Sequence, residues 1–291
     1  MNHVVVAGGT DGLGRAAALD RLRKGDTVAV IGRNPVKGRE FLDAAAALGA
    51  GDRAQFVAAD LSSISATRAA IEVIRARFPR LDALVLCARH YRSERLVTAE
   101  GFEYTLALFY LSRFVLGQEL LDLLAAAPDP VILNVSGPGA GASGIQWDDL
   151  GYEHDYHGMR ALSQGGKLND LLAIEFARRY APTGIRYVLL HPGVVDTALS
   201  GDYDPEMAAQ VEAMRATAQT VEQAVGPILR VLDNPPAAPL TAIVQGRPID
   251  VHGPAFDAAA AARLFRKTTR LLTALEGGSS RPVIKQMHER L

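Results

Sequence analysis

The chain has 291 residues, 48% hydrophobic and 22% charged, the balance of a globular protein long enough to bury one sizeable core. A formal net charge of −1 leaves no global field to favour nucleic acid or an anionic membrane, and the one cysteine, Cys87, excludes an internal disulfide and a Cys-rich metal site. No apolar run is long enough to span a bilayer, and Met1 leads straight into an apolar strand without a signal-peptide pattern, so the expectation is a soluble cytoplasmic protein.

The first strand, HVVVA at 3–7, runs into AGGTDGLGRAAA. Gly8, Gly12 and Gly14 make a GxxxGxG turn between a strand and a helix over 13–24, with Gly25 as its C′ residue. Glycines let backbone approach a pyrophosphate, and the helix start behind them offers unpaired N–H groups and a positive dipole end. A lone glycine pattern is a weak signal; the strand before and the helix after strengthen it. Thr10, Asp11 and Leu13 lie in the same turn.

A second strand, 27–31, ends in VIGRNP. A carboxylate in this place grips the 2′-hydroxyl of NAD; here Arg33, 19 residues after Gly14 and followed by Asn34, points instead to the 2′-phosphate of NADP. A solvated loop arginine is the plainer alternative. Next come a helix over 36–48, a strand over 54–59, and AADLSS, where Asp60 and Leu61 precede a helix over 64–77. Asp60 is also suited to cap that helix.

Further strands fall at 83–87, 131–136, 185–190 and 241–245. Nearly all are continuously apolar, as strands covered on both faces are. A long helix is predicted over 101–126. Another around 160–180 places Leu168, Leu171, Leu172 and Phe176 on one face. Residues 198–222 read as a helical excursion over the carboxyl ends of the strands, a substrate lid. The alternation predicts an α/β protein with one domain over 1–291 and a doubly wound parallel sheet of about seven strands.

Taken together, these segments resemble the short-chain dehydrogenase/reductase superfamily, over nearly the whole chain. AGGTDGLG resembles its TGxxxGxG, with Ala7 for the threonine, and AADLSS resembles its adenine-contacting segment. HPGVVDT resembles the PGxxxT loop, which implies cofactor contacts for Pro192, Gly193, Val195 and Thr197. LCAR, in place of NNAG, puts Ala88 beside the cofactor, and the C-terminal FDAAAAARLFRKTTRLL resembles the last helix of the retinol-dehydrogenase-like branch. The resemblance implies a single-domain Rossmann fold with a nicotinamide cofactor, for which Arg33 points to NADPH, and, by analogy, a homo-oligomer associating through long helices.

The family's Asn–Ser–Tyr–Lys set is another matter. The asparagine aligns with Phe109, the serine with Gly137 and the tyrosine with Ser163; only Lys167 is kept. Ser136 stands one place before the serine position. The resemblance gives Lys167 the nicotinamide ribose, while Ser163, short and weakly acidic, cannot inherit the tyrosine's proton. Other candidates have plainer readings beside the chemical one: Tyr152, His154, Tyr156 and His157 in the insert at 144–160 as a surface loop with packing aromatics, Tyr110 as a packing residue of the long helix, Ser143 as a loop serine, and the basic group Arg89, His90 and Arg92 as a solvated face. His191 is given no chemical role. No catalytic residue is secure; Ser136 and Lys167 are the candidates. Two readings of different class follow. One is an atypical NADPH-dependent ketoreductase acting on a small-molecule ketone, of the kind found in aromatic polyketide (angucyclinone-type) antibiotic pathways, with a substrate phenol assisting protonation. The other is an NADP-binding pseudoenzyme or regulator; an NADP-dependent isomerase is a third.

Overall fold

The structure, a computed structural model, describes residues 1–196 and 200–277. Seven parallel strands form the sheet: β1 (His3–Ala7), β2 (Thr27–Gly32), β3 (Ala54–Ala58), β4 (Ala83–Leu86), β5 (Val131–Val135), β6 (Arg186–His191) and β7 (Leu240–Val244). An eighth, β8 (Arg247–Ile249), adds antiparallel to β7, and the order across the sheet is β8-β7-β6-β5-β4-β1-β2-β3. The order reverses at β1, which pairs with β2 on one side and β4 on the other; a crevice opens at such a point beyond the strands' carboxyl ends.

Both faces of the sheet are buried, which is why the strands read as unbroken apolar runs. Val4, Val6, Val28 and Val30 pack under α1 (Gly12–Arg23) and α2 (Pro35–Ala47). Val5, Ala7, Ala29 and Ile31 pack on the opposite face, in the layer shared with α3 (Ile64–Arg77), α4 (104–119) and α5 (Gly158–Tyr180). Leu168, Leu171, Leu172 and Phe176 of α5 are all buried in that layer, the stripe their spacing implies. The last helix of the described chain, α8 (Ala258–Gly277), packs along α5; α6 (Pro205–Arg215) and α7 (Gly226–Asp233) precede it.

Three expectations change in detail. The helix expected over 101–126 begins only at Tyr104, because the buried Glu103 carboxylate accepts the N–H groups of Thr105 (2.8 Å) and Leu106 (2.7 Å). Within α4 the stretch Ala107–Leu111 widens to a π-helix, a second break sets off Leu121–Ala125, and Phe109 O accepts from Asn169 Nδ2 at 2.8 Å. Strand β8 has no apolar alternation and contains Pro248, which only an edge strand tolerates; its hairpin turns through Gln245 (φ 49°) and Gly246 (φ 78°), both left-handed. Asp60 does not cap α3. The cap is Ser63, whose hydroxyl accepts from Ala66 N, while Asp60 turns back on the Ser62 N–H at 2.9 Å.

Candidate active-site cleft

A cleft of about 540 Å³ opens at the carboxyl ends of β1, β2, β4, β5 and β6. The turn after β1 forms one wall. Gly8 has φ +79°, and a Cβ on it would stand 2.7 Å from Ala88 N; a Cβ on Gly14 would stand 2.3 Å from Gly8 O. The turn therefore accepts no side chain at either place and brings bare backbone to the cleft. Asp11 caps α1 by accepting Gly12 N–H at 2.8 Å, and Thr10, Gly12 and Leu13 line the wall with it. Burial pushes the Asp11 carboxyl up, but bonds from the Lys37 ammonium and the Gly12 N–H outweigh it and hold the group below the usual carboxylate range.

The second wall follows β2. Arg33 is exposed at the rim and donates Nη1 to Tyr104 Oη at 2.8 Å, so its guanidinium is oriented from α4. Asn34 lines the cleft while its side chain caps α2 by accepting from Val36 N at 2.9 Å. Lys37, which the sequence reading passed over, adds a second cation here, ion-paired with Asp11. Asp60 and Leu61, after β3, also line this end. The cradle fits a dinucleotide: bare backbone at a helix start, a rim arginine, and room for an extended molecule.

At the other end lie Ala88, Ser136, Gly137, Ser163, His191, Pro192 and Gly193. Ser136 is buried and its Oγ has no hydrogen-bond partner among the described residues. Phe109, which the sequence resemblance aligns with the family's asparagine, lines the cleft with its ring 4.4 Å from the Arg113 guanidinium. Arg89 and His90 line it too, whereas Arg92 turns away to pair with Asp202 and sits 5.3 Å over the Tyr104 ring. Burial, with the Arg33 charge, holds the His90 imidazole below the usual histidine range.

Other candidates fall elsewhere. Lys167 donates its ammonium to the Ser143 carbonyl and lines an adjoining cavity of about 460 Å³ with Tyr152, His157 and Arg160. Ser163 and Met159 border both spaces. Val195 is fully buried in the core on the α1 side, and Thr197 lies outside the described residues. Tyr110 packs, its phenol 2.7 Å from Thr268 Oγ1; Tyr156 bonds Arg92 O at 3.1 Å; His154 is exposed. Of the excursion at 198–222, residues 200–222 are described: Tyr91–Arg92 pairs with Gly201–Asp202, Tyr203 stacks on Tyr91 at 5.3 Å, and Gln219 N bonds Val194 O at 2.9 Å.

Sequence reasoning missed the polar network beneath the cleft floor. Arg113, 2% exposed, donates to Ala88 O (2.9 Å), Val135 O (2.9 Å) and the Asn134 side chain, bracing the ends of β4 and β5. Asn134 bonds Tyr187 Oη and Asn169 Oδ1, each at 2.9 Å, and Asn169 in turn holds Phe109 O and Gly165 O. Burial drives the Arg113 guanidinium down to about 10 and the neighbouring Cys87 thiol up to about 12, so Cys87 stays protonated and inert as a nucleophile. The signal was present: an arginine and an asparagine inside otherwise apolar LSRFVL and VILNVS.

Comparison with known proteins agrees with this architecture. A crystal structure of a protein from Mycobacterium paratuberculosis superposes with a TM-score of 0.72 over 94% of each chain at 21% identity, which establishes a shared fold. A Streptomyces protein described as a candidate daunorubicin C-13 ketoreductase, DnrU, is 32% identical over 197 residues, 67% of each chain. Mouse retinol dehydrogenase 14 is 31% identical over 206 residues, 67% of this chain and 62% of that one, so the similarity spans under two thirds of the mouse protein. The pattern of the short chain dehydrogenase family matches residues 2–148, from β1 past the cleft-lining Ser136 and Gly137, and with it the chain belongs to the short-chain dehydrogenase family.

Proposed function

We propose that the protein is an NADPH-dependent ketoreductase whose substrate is an aromatic ketone bearing a phenol next to the carbonyl, of the aromatic polyketide (angucyclinone) type. One observation carries the reading: a single cleft joins the bare-backbone turn and Arg33 at one end to Ser136, Ser163 and His191 at the other. The kinship with DnrU supports the substrate class. NADPH, when bound, supplies the hydride. Gly8, Gly12 and Gly14 seat its pyrophosphate, Arg33 its 2′-phosphate, Asp60 and Leu61 its adenine, and Ala88, Pro192 and Gly193 its nicotinamide half.

The chain contributes orientation and a site that holds the ketone against the cofactor, which is a large share of the acceleration in such reactions. Ser163 ends at its first side-chain carbon and is no phenol. The substrate's own hydroxyl, already hydrogen-bonded to the carbonyl oxygen, strengthens that bond as charge develops and stabilises the transition state. Ser163→Ala is therefore expected to keep most single-turnover activity. Methylating the substrate phenol, for a ketone whose methyl ether still binds, is expected to cost ~10²–10⁴-fold. Abolition of turnover by Ser163→Ala, with normal reduction of the methyl ether, would return the proton to Ser163.

A second reading is favoured by one specific contact. The Lys167 ammonium is held by Ser143 O and lines the neighbouring cavity, an arrangement suited to a cofactor-binding protein without turnover. Hydride transfer from labelled cofactor separates the two.

A further inference from the structure

Strands β5 and β6 run side by side and end together. Val135 pairs with Leu190, and Ser136 N donates to Leu190 O at 2.9 Å, so Ser136 and His191 leave the sheet as neighbours. Val135 and Leu190 belong to the layer on the α1 side. Successive side chains on a strand alternate, so Ser136 and His191 emerge on the opposite side, where α5 brings Ser163 to the same cleft.

Two independent observations mark this pair. The Ser136 hydroxyl is buried, lines the cleft, and has no partner among the described residues. Buried polar groups are almost always paired, and an exception in a cleft points to a ligand. The other observation concerns Gly137, the position where the family carries serine. The side-chain atom nearest a Cβ built there is His191 Cδ2, at 4.0 Å. The space emptied by the missing serine is thus bordered by the imidazole.

Building on the reductase reading, we infer that Ser136 and His191 together form the seat of the substrate's carbonyl oxygen, each donating a hydrogen bond to it. The Ser136 hydroxyl donates from β5 and a ring N–H of His191 from β6, meeting the oxygen beside the bond it already receives from the substrate phenol. Half-burial and the nearby Arg89 charge keep the His191 imidazole below the usual histidine range, so it is neutral near pH 7 and acts as a hydrogen-bond donor. A neutral imidazole serves as an electrophile in this way in established enzymes. No proton leaves either residue; the pair binds and polarises the oxygen, and the phenol remains the acid. Donors aimed at a developing oxyanion act without reorganisation, and losing one costs ~10²–10³-fold in rate.

The test uses the full chain with saturating NADPH and ortho-hydroxyacetophenone as probe, read by single-turnover NADPH oxidation and by calorimetry for both ligands. H191F is expected to slow hydride transfer ~10²-fold and S136A at least tenfold, with NADPH affinity unchanged in both. H191N and H191Q place an amide N–H near the Nδ1 and Nε2 positions respectively, and one of them is expected to restore the rate to within tenfold of the unmodified protein. A merely structural role would not give that rescue. Unchanged NADPH affinity also reports that the variants are folded; if H191F fails that check, S136A and the two amide variants carry the test. Equal rates for H191F, S136A and the unmodified protein overturn the inference, as does loss in H191F that neither amide restores. If the unmodified protein binds the ketone without reducing it, the reductase reading falls, and the seat is judged by affinity alone: H191F and S136A must each weaken ketone binding about tenfold or more, and equal affinity overturns it. Absence of any ketone binding to the NADPH complex overturns both.

Discussion

In the proposed NADPH-dependent reaction, cofactor choice turns on Arg33. Its guanidinium stands at the cleft rim, oriented by the Tyr104 hydroxyl, and Lys37 adds a second cation that is already paired with Asp11. A charge-assisted contact to a 2′-phosphate is worth about 1.5–3 kcal/mol. Arg33→Ala is therefore expected to weaken NADPH about 10–100-fold while leaving NADH nearly unchanged, as measured by calorimetry. Equal affinity of the unmodified protein for the two cofactors would contradict the assignment. Asp170 offers a second test at this scale. Its carboxyl, 1% exposed, accepts Gly139 N–H at 2.9 Å through Oδ2, while Oδ1 is unpartnered among the described residues. Burial raises it to about 7 against an ordinary 3.8. Between those values the unfolded chain releases this proton and the folded chain keeps it, so stability falls as pH rises from about 4 to about 7, then levels off. Asp170→Asn is expected to remove that slope and to raise the melting temperature at pH 8 more than at pH 4.5. A pH-independent effect of the substitution would mean that Asp170 ionises normally in the fold.

At the scale of elements, the turn between β1 and α1 bears most on binding. A methyl group at Gly14 meets Gly8 O at 2.3 Å, a backbone atom that moves only with the turn. Gly14→Ala is expected to destabilise the protein by about 1–3 kcal/mol and to abolish measurable cofactor binding; chemical denaturation and calorimetry on one sample check both. That turn was legible from sequence because local rules fix it: glycines, a preceding apolar strand and a following helix. The parallel strands were legible for a similar reason, since burial on both faces leaves an unbroken apolar run. The π-turn at Ala107–Leu111 was not, because it is held by Asn169, 60 residues away from Phe109 in sequence. Arg113 likewise finds its partners on β5 and after β4, in a register no local pattern encodes. Lys167 shows the limit of spacing arguments. It lies one helical turn from Ser163 as expected, yet its ammonium goes to Ser143 O.

At the scale of the whole molecule, the sheet order concentrates its chemistry at one place. Glycine backbone, rim cations, a serine hydroxyl unpartnered among the described residues and a half-buried imidazole all meet at the carboxyl ends of the strands beside β1. The arrangement sets the dinucleotide cradle next to a pocket lined by Gly137, Ser163 and Phe109, the residues that the sequence resemblance aligns with the family's serine, tyrosine and asparagine. On the function proposed above, such a scaffold reduces ketones by positioning them, with acid supplied by the substrate. Among the described residues no helix is long and apolar enough to cross a membrane. The most direct measurement is transfer of deuterium from stereospecifically labelled NADPH to an ortho-hydroxyaryl ketone in a single turnover. The account predicts that the label appears at the carbinol carbon, from one face of the nicotinamide only and with one configuration of the alcohol. Tight NADPH binding with the ketone present and no label transferred would contradict it, and would identify the protein as a cofactor-binding member of the family that performs no reduction.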